Sequence, residues 1–521
     1  MGETQGISTH VEAITIAESQ SLEKRRWMNW RVVMNLLIIS LSLALYGYDN
    51  ALVAPLASLP LFVETYQGPG VGGLPVFTAG SLNLLTCIPL AGAAIGSFAA
   101  NAIQHKFGRK MTMLAAYGLC SFPGSLLQVF APGIAAMVVG RFWNYVGISL
   151  VTNVAPLYLA DIVPAHFRAR AVGFTVATAS LTGVVATVIV WGTEKIPDKR
   201  QYIILLAIQA AAPGSFFLLS LVLSESPMWL LSKGRVDEAR IVLASLRTND
   251  IALVETEIFI AQRAQVQQLS GPANIKWWEI LRKSQLERTL VSGAGLCLGE
   301  ASGQILTATY STVLLVQSGV SDPFRITVIL FVINFLGTIV GPFCLDRIGR
   351  RPIALGGCVA LFLIDTAAGG LACGGLRTRQ ETDALASLCI VFSFVYAVGF
   401  QSMCYVLPTE IPTSRLREAT MTWSAFWAYT TAIIMTFAIP QIINAGAGNL
   451  GAKAFLIFAG CMAVTTVLTY FYLPETSNRT LAEINEIYLE GVPKRHWKGY
   501  RASVIEMVNM QRTVVDIKSV I

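Results

Sequence analysis

Twelve apolar runs, each about twenty residues or longer and set apart by short polar stretches, decide what this chain can fold into. They cover residues 33–62, 77–103, 112–130, 134–159, 171–193 and 202–223. Six more follow at 290–317, 326–345, 353–373, 385–407, 420–443 and 454–473. A backbone in hydrocarbon must satisfy its own polar groups, so such runs are predicted to be membrane helices. The charge content agrees. Only 13% of the residues are charged and 54% are hydrophobic, where a soluble domain carries about 25% charged residues. Gly and Pro are frequent inside the runs, which membrane helices tolerate. The net charge of +7 is spread through short loops and points to no nucleic-acid partner. The nine cysteines fall in or beside apolar runs without metal spacing, and read as small buried hydrophobes. Glu3, Glu12, Glu18 and Glu23 break up the N-terminal tail, so no cleavable signal peptide is expected and the first run is the targeting signal.

The runs fall into two sets of six. A polar tail, 1–31, precedes a first half at 32–223. A polar middle segment at 224–287 carries helix-like sequence at 236–246 and 251–268 and the aromatic step Trp277-Trp278. A second half at 288–473 leads into a tail at 474–521. Most of the 38 lysines and arginines lie in the two tails, the middle segment and the loops on their side. Basic loops stay on the cytoplasmic face, so both termini and the middle segment are predicted to be cytoplasmic. The sequon Asn478-Arg479-Thr480 then lies on the side where it is not glycosylated. The halves also repeat each other in order. Phe107-Gly108-Arg109-Lys110 returns as Ile348-Gly349-Arg350-Arg351. Tyr158…Asp161…Pro164 returns as Leu407…Glu410…Pro412, and Ser224-Glu225-Ser226-Pro227 as Leu473-Pro474-Glu475-Thr476, each about 250 residues further on. Two six-helix halves in parallel repeat are the architecture of the major facilitator transporters, so the expected fold class is an all-α membrane protein with twelve transmembrane helices.

The motifs carry a closer resemblance. Gly337…Gly341…Asp346-Arg347-Ile348-Gly349-Arg350-Arg351-Pro352 resembles the loop signature of the sugar porter family. Glu225-Ser226-Pro227-Met228-Trp229…Lys233-Gly234-Arg235 resembles its segment after span six, and Pro474-Glu475-Thr476…Arg479-Thr480-Leu481…Glu483 its closing signature. Gly47-Tyr48-Asp49, Leu59-Pro60-Leu61-Phe62, Tyr310-Ser311-Thr312 and Gly451-Ala452-Lys453 are most similar to fungal α-glucoside–proton symporters. The chain departs from the family in its pocket. His105 stands where the first loop signature has an acid, and Asp161 where the family has Glu. The amides that contact sugar hydroxyls in the family fall at Ala177, Gly299, Glu300 and Ile305. Its aromatic and amide positions in spans ten and eleven fall near Tyr405, Tyr429 and Ala432, or at Trp427 and Thr430. Sugar hydroxyls want groups that both donate and accept, and most of those amides are gone.

Asp49 lies deep in the first run, where an ionised carboxylate costs several kcal/mol unless paired or hydrated, so its default reading is functional. Arg141 in the fourth run needs an anionic partner, and the resemblance puts it beside the first-span carboxylate. The pair is expected to act as a proton-coupling switch. Glu300 sits one repeat period after Asp49, in Gly299-Glu300-Ala301-Ser302-Gly303-Gln304. It is expected to contact substrate or hold a second proton, with Gln304, Thr307 and Tyr310 following at helical spacing along one cavity wall. Tyr405, Trp427 and Tyr429 add aromatic surface to the substrate-binding set. Asp365 is a further carboxylate in the ninth run. Arg109, Asp161, Arg168 and Glu225, mirrored by Asp346, Arg350, Arg351, Glu410, Arg417 and Glu475, form an expected cytoplasmic gate of bidentate Arg–carboxylate pairs.

The expected function is secondary-active, proton-coupled transport of a small polar organic solute, by a functional monomer in the plasma membrane. The alternatives are export of a fungal secondary metabolite, an organic-acid or polyol permease, and a non-transporting nutrient sensor. The expected partners are a small-molecule substrate, protons and the lipid bilayer. No nucleophile motif, metal cluster or phosphate loop points to an enzyme, and no cofactor or metal is expected.

Overall fold

The computed structural model describes residues 29–67, 77–163, 168–247, 251, 254–255, 257–259, 261–262, 277–320, 322–403, 407–413, 416–443, 448–477, 479 and 481–500. Among these the chain is helical and forms no strand. Ten helices are long and apolar enough to cross a membrane. They are α1 (Trp30–Ala57), α2 (Ala79–Phe107), α4 (Ile134–Ile162), α5 (Arg168–Thr193), α6 (Arg200–Ser220), α8 (Pro323–Ile348), α9 (Arg350–Cys373), α10 (Arg379–Gln401), α11 (Arg417–Ile443) and α12 (Phe455–Tyr472).

The other two apolar runs are helical but interrupted. The third, α3, consists of Arg109–Ala115, a π-helical turn Ala116–Ser121 and Phe122–Val129. Pro123 explains the interruption. It has no N–H to give the carbonyl of Leu119 and its ring crowds that carbonyl, so the turn widens. The freed oxygen accepts a hydrogen bond from the Trp143 indole Nε1 at 2.9 Å. The seventh, α7, consists of Lys283–Glu300, a turn through Gly303, a π-helical turn Ile305–Thr309 and Ser311–Gln317. Gly303 holds φ +85°, a left-handed conformation that costs a residue with a Cβ about 1 kcal/mol or more.

Two compact units are formed. The first comprises Met1–Leu52 with Ile88–Asn274, the second Val53–Cys87 with Ile275–Ile521. In the first, α3 packs on α4 and α6, and α1 packs on α4 and α5. The middle segment has a small core of its own. Ser226 caps Pro227–Ser232 by accepting from the Trp229 N–H at 3.1 Å, with proline at the first helical position. Trp229, Leu230 and Leu231 pack against Ala239 and Leu243 of the helix Val236–Leu246, and against Val254 and Ile258. Buried Arg247 ties this core to α4, donating to the Ile162 carbonyl at 3.0 Å while pairing with Glu257 at 2.8 Å.

In the second unit α7 packs on α11, α8 on α10, and α9 on both α10 and α12. A capping box opens α10, with Thr378 and Glu381 each satisfying the other's backbone N–H. The C-terminal segment docks here too. Ile484 and Ile487 of the helix Leu481–Leu489 enclose Trp497, and Arg288 of α7 donates to Asn485 Oδ1 at 2.9 Å.

Candidate functional site

Asp49 of α1 is 2% exposed, and α4 and α6 supply its partners. From α4, the Arg141 guanidinium lies 3.6 Å from Oδ1 and Asn144 Nδ2 donates to Oδ2. From α6, Gln209 Nε2 donates to the same Oδ2 at 2.8 Å, and reaches Gln128 Oε1 of α3 at 3.3 Å. Arg141 also lies over the Tyr145 ring, 5.5 Å from its centroid. The guanidinium and the two amide donors offset the cost of burying this carboxylate, although Oδ1 accepts no hydrogen bond among the described residues. The arrangement depends on charge at one atom pair. Protonating Asp49 removes the attraction to Arg141 and leaves its amide neighbours with a weaker acceptor.

Sequence reading found Asp49 and Arg141 and missed Asn144, Gln209 and Gln128. A signal was available, since Asn144 lies three residues after Arg141 and so shares its helix face.

Glu300, the sequence-related acid in the second unit, is placed differently. It ends the first piece of α7, and its Oε2 is buried without a hydrogen-bond partner among the described residues. Gly299 beside it lies against the Tyr396 hydroxyl side, where an added Cβ would sit 3.4 Å from the oxygen. Tyr396 stacks between Phe392 and Phe400, each 6.3 Å away between centroids. Gln304 is half-buried. Thr307 and Tyr310 follow it. Both are buried, and the Tyr310 hydroxyl donates to the Thr436 carbonyl at 3.0 Å and contacts Thr86 Oγ1 at 3.1 Å. The expected stripe assumed an unbroken α-helix. A π-helical turn, Ile305–Thr309, precedes Tyr310, whose hydroxyl braces helices. Trp427 is exposed, its ring edge-on to Trp423 and Phe426 at 5.7 Å each, and Tyr429 is half-buried. Tyr405 lies outside the described residues. Asp365 of α9 is fully buried, with neither carboxylate oxygen hydrogen-bonded among the described residues.

The gate residues form one motif built twice. In the first unit Gly108, at φ +96°, turns the chain so that the backbone N–H groups of Arg109 and Lys110 donate to Glu225 Oε1 at 2.8 and 3.2 Å. Arg109 Nε lies 3.4 Å from Asp161, which accepts from Ser226 Oγ at 2.6 Å. In the second, Gly349 at φ +106° lets the N–H groups of Arg350 and Arg351 donate to the two oxygens of Glu475 at 2.9 and 3.1 Å. The Arg350 guanidinium binds Glu410 at 3.0 Å and Asp346 at 3.6 Å, and Glu410 accepts from Thr476 Oγ1 at 2.5 Å. Both glycines are required twice over, by φ and by space, since a Cβ would fall within 2.6 Å of the glutamate. The pairs described lie within a unit. The side chains of Arg168 and Arg417 lie outside the described residues.

The sequence comparisons converge on this architecture. The family described as sugar (and other) transporter matches residues 34–488. A major facilitator-type transporter, ecdD, of Aspergillus rugulosus is 27% identical over 472 residues, 86% of this chain and 85% of its own length. The general alpha-glucoside permease of Saccharomyces cerevisiae is 25% identical over 498 residues, 92% of this chain and 78% of its own. In fold, the chain is similar to the partially occluded inward open xylose transporter XylE from E. coli. The TM-score is 0.71 at 17% identity, over 87% of this chain and 100% of that one.

Proposed function

Since the chain belongs to the sugar transporter family, and is a multi-pass secondary-active transporter and not an enzyme, we propose that protons drive its transport through Asp49. The observation that carries this is the burial of that carboxylate beside one guanidinium and two amide donors gathered from two other helices. Ionised Asp49 holds Arg141. A proton taken from the outer side releases it, and substrate binding then favours reorientation of the carrier. Arg141 restores the charged state when the proton leaves. Coupling follows because the empty carrier reorients readily in only one protonation state. Both tails and the middle segment face the cytoplasm, the carrier acts as a monomer, and the membrane is the plasma membrane.

The substrate is a small organic solute less hydroxylated than a hexose. Ala177, Gly299 and Ile305 offer no hydrogen bond where the family has amides, and each hydroxyl buried unpaired costs about 1–3 kcal/mol. Glu300, with a free acceptor oxygen, suits a solute carrying a donor or a positive charge, and Trp427 and Tyr429 supply aromatic surface. The loop motif around Glu225 and Glu475 acts as the cytoplasmic gate, closing each half's helix ends as the carrier reorients.

The test is accumulation of labelled solute in cells lacking their own hexose carriers. Asp49→Asn should abolish uphill accumulation while exchange down a gradient persists, because the amide keeps the protonated shape and cannot cycle. Equal accumulation by variant and wild type would remove the proton from Asp49. Robust, saturable glucose uptake, unchanged in Glu300→Gln, would overturn the substrate reading.

A further inference from the structure

The last turn of α12 ends in Tyr470, Phe471 and Tyr472, 43%, 52% and 54% exposed, the aromatic finish expected where a membrane helix meets the headgroups. Two guanidiniums lie on this edge. Arg351, from the start of α9, donates through Nη2 to the Tyr470 carbonyl at 2.7 Å, with its guanidinium carbon 5.6 Å from the Tyr470 ring centroid. Arg495 lies 4.9 Å from the same centroid and 5.4 Å from that of Phe471. The position of Arg495 is built, because three features fix the turn Lys494–Gly499 that carries it. Trp497 is fully buried, its Nε1 donating to the Val492 carbonyl at 3.0 Å, and Arg479 donates to the carbonyls of Trp497 and Tyr500.

Two neighbouring cations are paired with carboxylates. Lys494 meets Glu287 at 2.9 Å, and Arg350 meets Glu410 at 3.0 Å. Among the described residues the guanidiniums of Arg351 and Arg495 meet no carboxylate, and Arg351 Nε is buried without a partner. Two like charges held over one ring repel each other, and an anion reached by both would offset that cost. The anion is chosen by place. The ring edge is exposed at the end of a membrane helix, so the group that reaches it belongs to the bilayer.

We propose that the end of α12 seats an anionic phospholipid headgroup, its phosphate oxygens accepting hydrogen bonds from Arg351 and Arg495 above the Tyr470 ring. Arg suits this task because its planar fork binds phosphate oxygens in pairs. With the orientation proposed above, the lipid lies in the cytoplasmic leaflet, where anionic lipids concentrate. Binding itself depends neither on that orientation nor on the substrate.

Native mass spectrometry of the full-length protein, with phosphatidylserine or phosphatidylcholine titrated into the detergent and inorganic phosphate as a third arm, tests the proposal. Wild type should retain phosphatidylserine over phosphatidylcholine. Arg495→Gln and Arg351→Gln should each weaken that retention about fivefold, while Arg200→Gln, on an exposed residue of the first unit, leaves it unchanged. Undiminished retention by Arg495→Gln would overturn the proposal, as would equal retention of phosphatidylcholine. Full competition by inorganic phosphate would show an anion site that takes no lipid, and overturn it too. Arg495 is exposed, so its variants decide the question even if Arg351→Gln does not fold.

Discussion

Asp49 and Glu300 occupy corresponding places in the two sequence repeats, and their surroundings differ in kind. Asp49 has a guanidinium and two amides. Glu300 has a buried oxygen with no partner among the described residues. The loops show the opposite relation, since Gly108 with Glu225 and Gly349 with Glu475 make the same turn with the same backbone hydrogen bonds. The duplicated frame therefore survives at the helix ends, while the interiors surround their acids differently. In the function proposed above, the acid with a guanidinium beside Oδ1 and two amides donating to Oδ2 is the one that exchanges a proton. In the same proposal Glu300, whose Oε2 accepts no hydrogen bond among the described residues, is the acid that meets the cargo.

Removing compensation should break the first site most severely. Arg141→Gln leaves a buried carboxylate without its cation, an effect of about 3–5 kcal/mol, read as lost thermal stability and lost transport. Adding Asp49→Asn should restore much of that stability and none of the coupling, so a double variant as unstable as Arg141→Gln would break the comparison. In the loops, Glu410→Gln should lower stability by about 1–3 kcal/mol, and Asp161→Asn by less. Arg350 meets Glu410 at 3.0 Å, whereas Arg109 meets Asp161 at 3.4 Å. Melting curves in detergent would order the two.

Glu300→Gln sharpens the contrast. It should leave expression intact and change the ratio of competing solutes in uptake assays by about tenfold, one hydrogen bond to a charged group. Unchanged selectivity would return Glu300 to a passive role. The smallest effect is expected of Tyr310→Phe, which removes one helix-bracing hydroxyl at about 1 kcal/mol and should leave solute preference unchanged.

Much of this was legible in sequence because membrane helices expose their grammar. Apolar runs mark the spans, and a lone Asp or Arg within one is too costly to be idle. The repeat identified the loop motif because Gly at φ above zero and an acid that accepts two backbone N–H groups leave little room for substitution. The amides around Asp49 stayed hidden, since Asn144 and Gln209 carry no charge to mark them in apolar sequence. The register leading to Tyr310 was hidden for a geometric reason. The spacing Gln304, Thr307, Tyr310 fits a 3.6-residue turn, and nothing in Ile305-Leu306-Thr307-Ala308-Thr309 announces a wider one. In α3 the wide turn has a written cause, Pro123, and could have been foreseen.

A wide turn of this sort has the register of an α-helix that has taken in one extra residue. Everything beyond it is rotated by about 100° relative to everything before it. In α7 that seam falls between Glu300 and Tyr310, in the helix that carries the family's sugar-contacting positions. A single inserted or deleted codon at such a seam changes which side chains beyond it share a face with those before it. Lineages that share this frame thus have a route to new cargo that substitution-by-substitution comparison of pocket positions overlooks, because the aligned residues no longer point the same way.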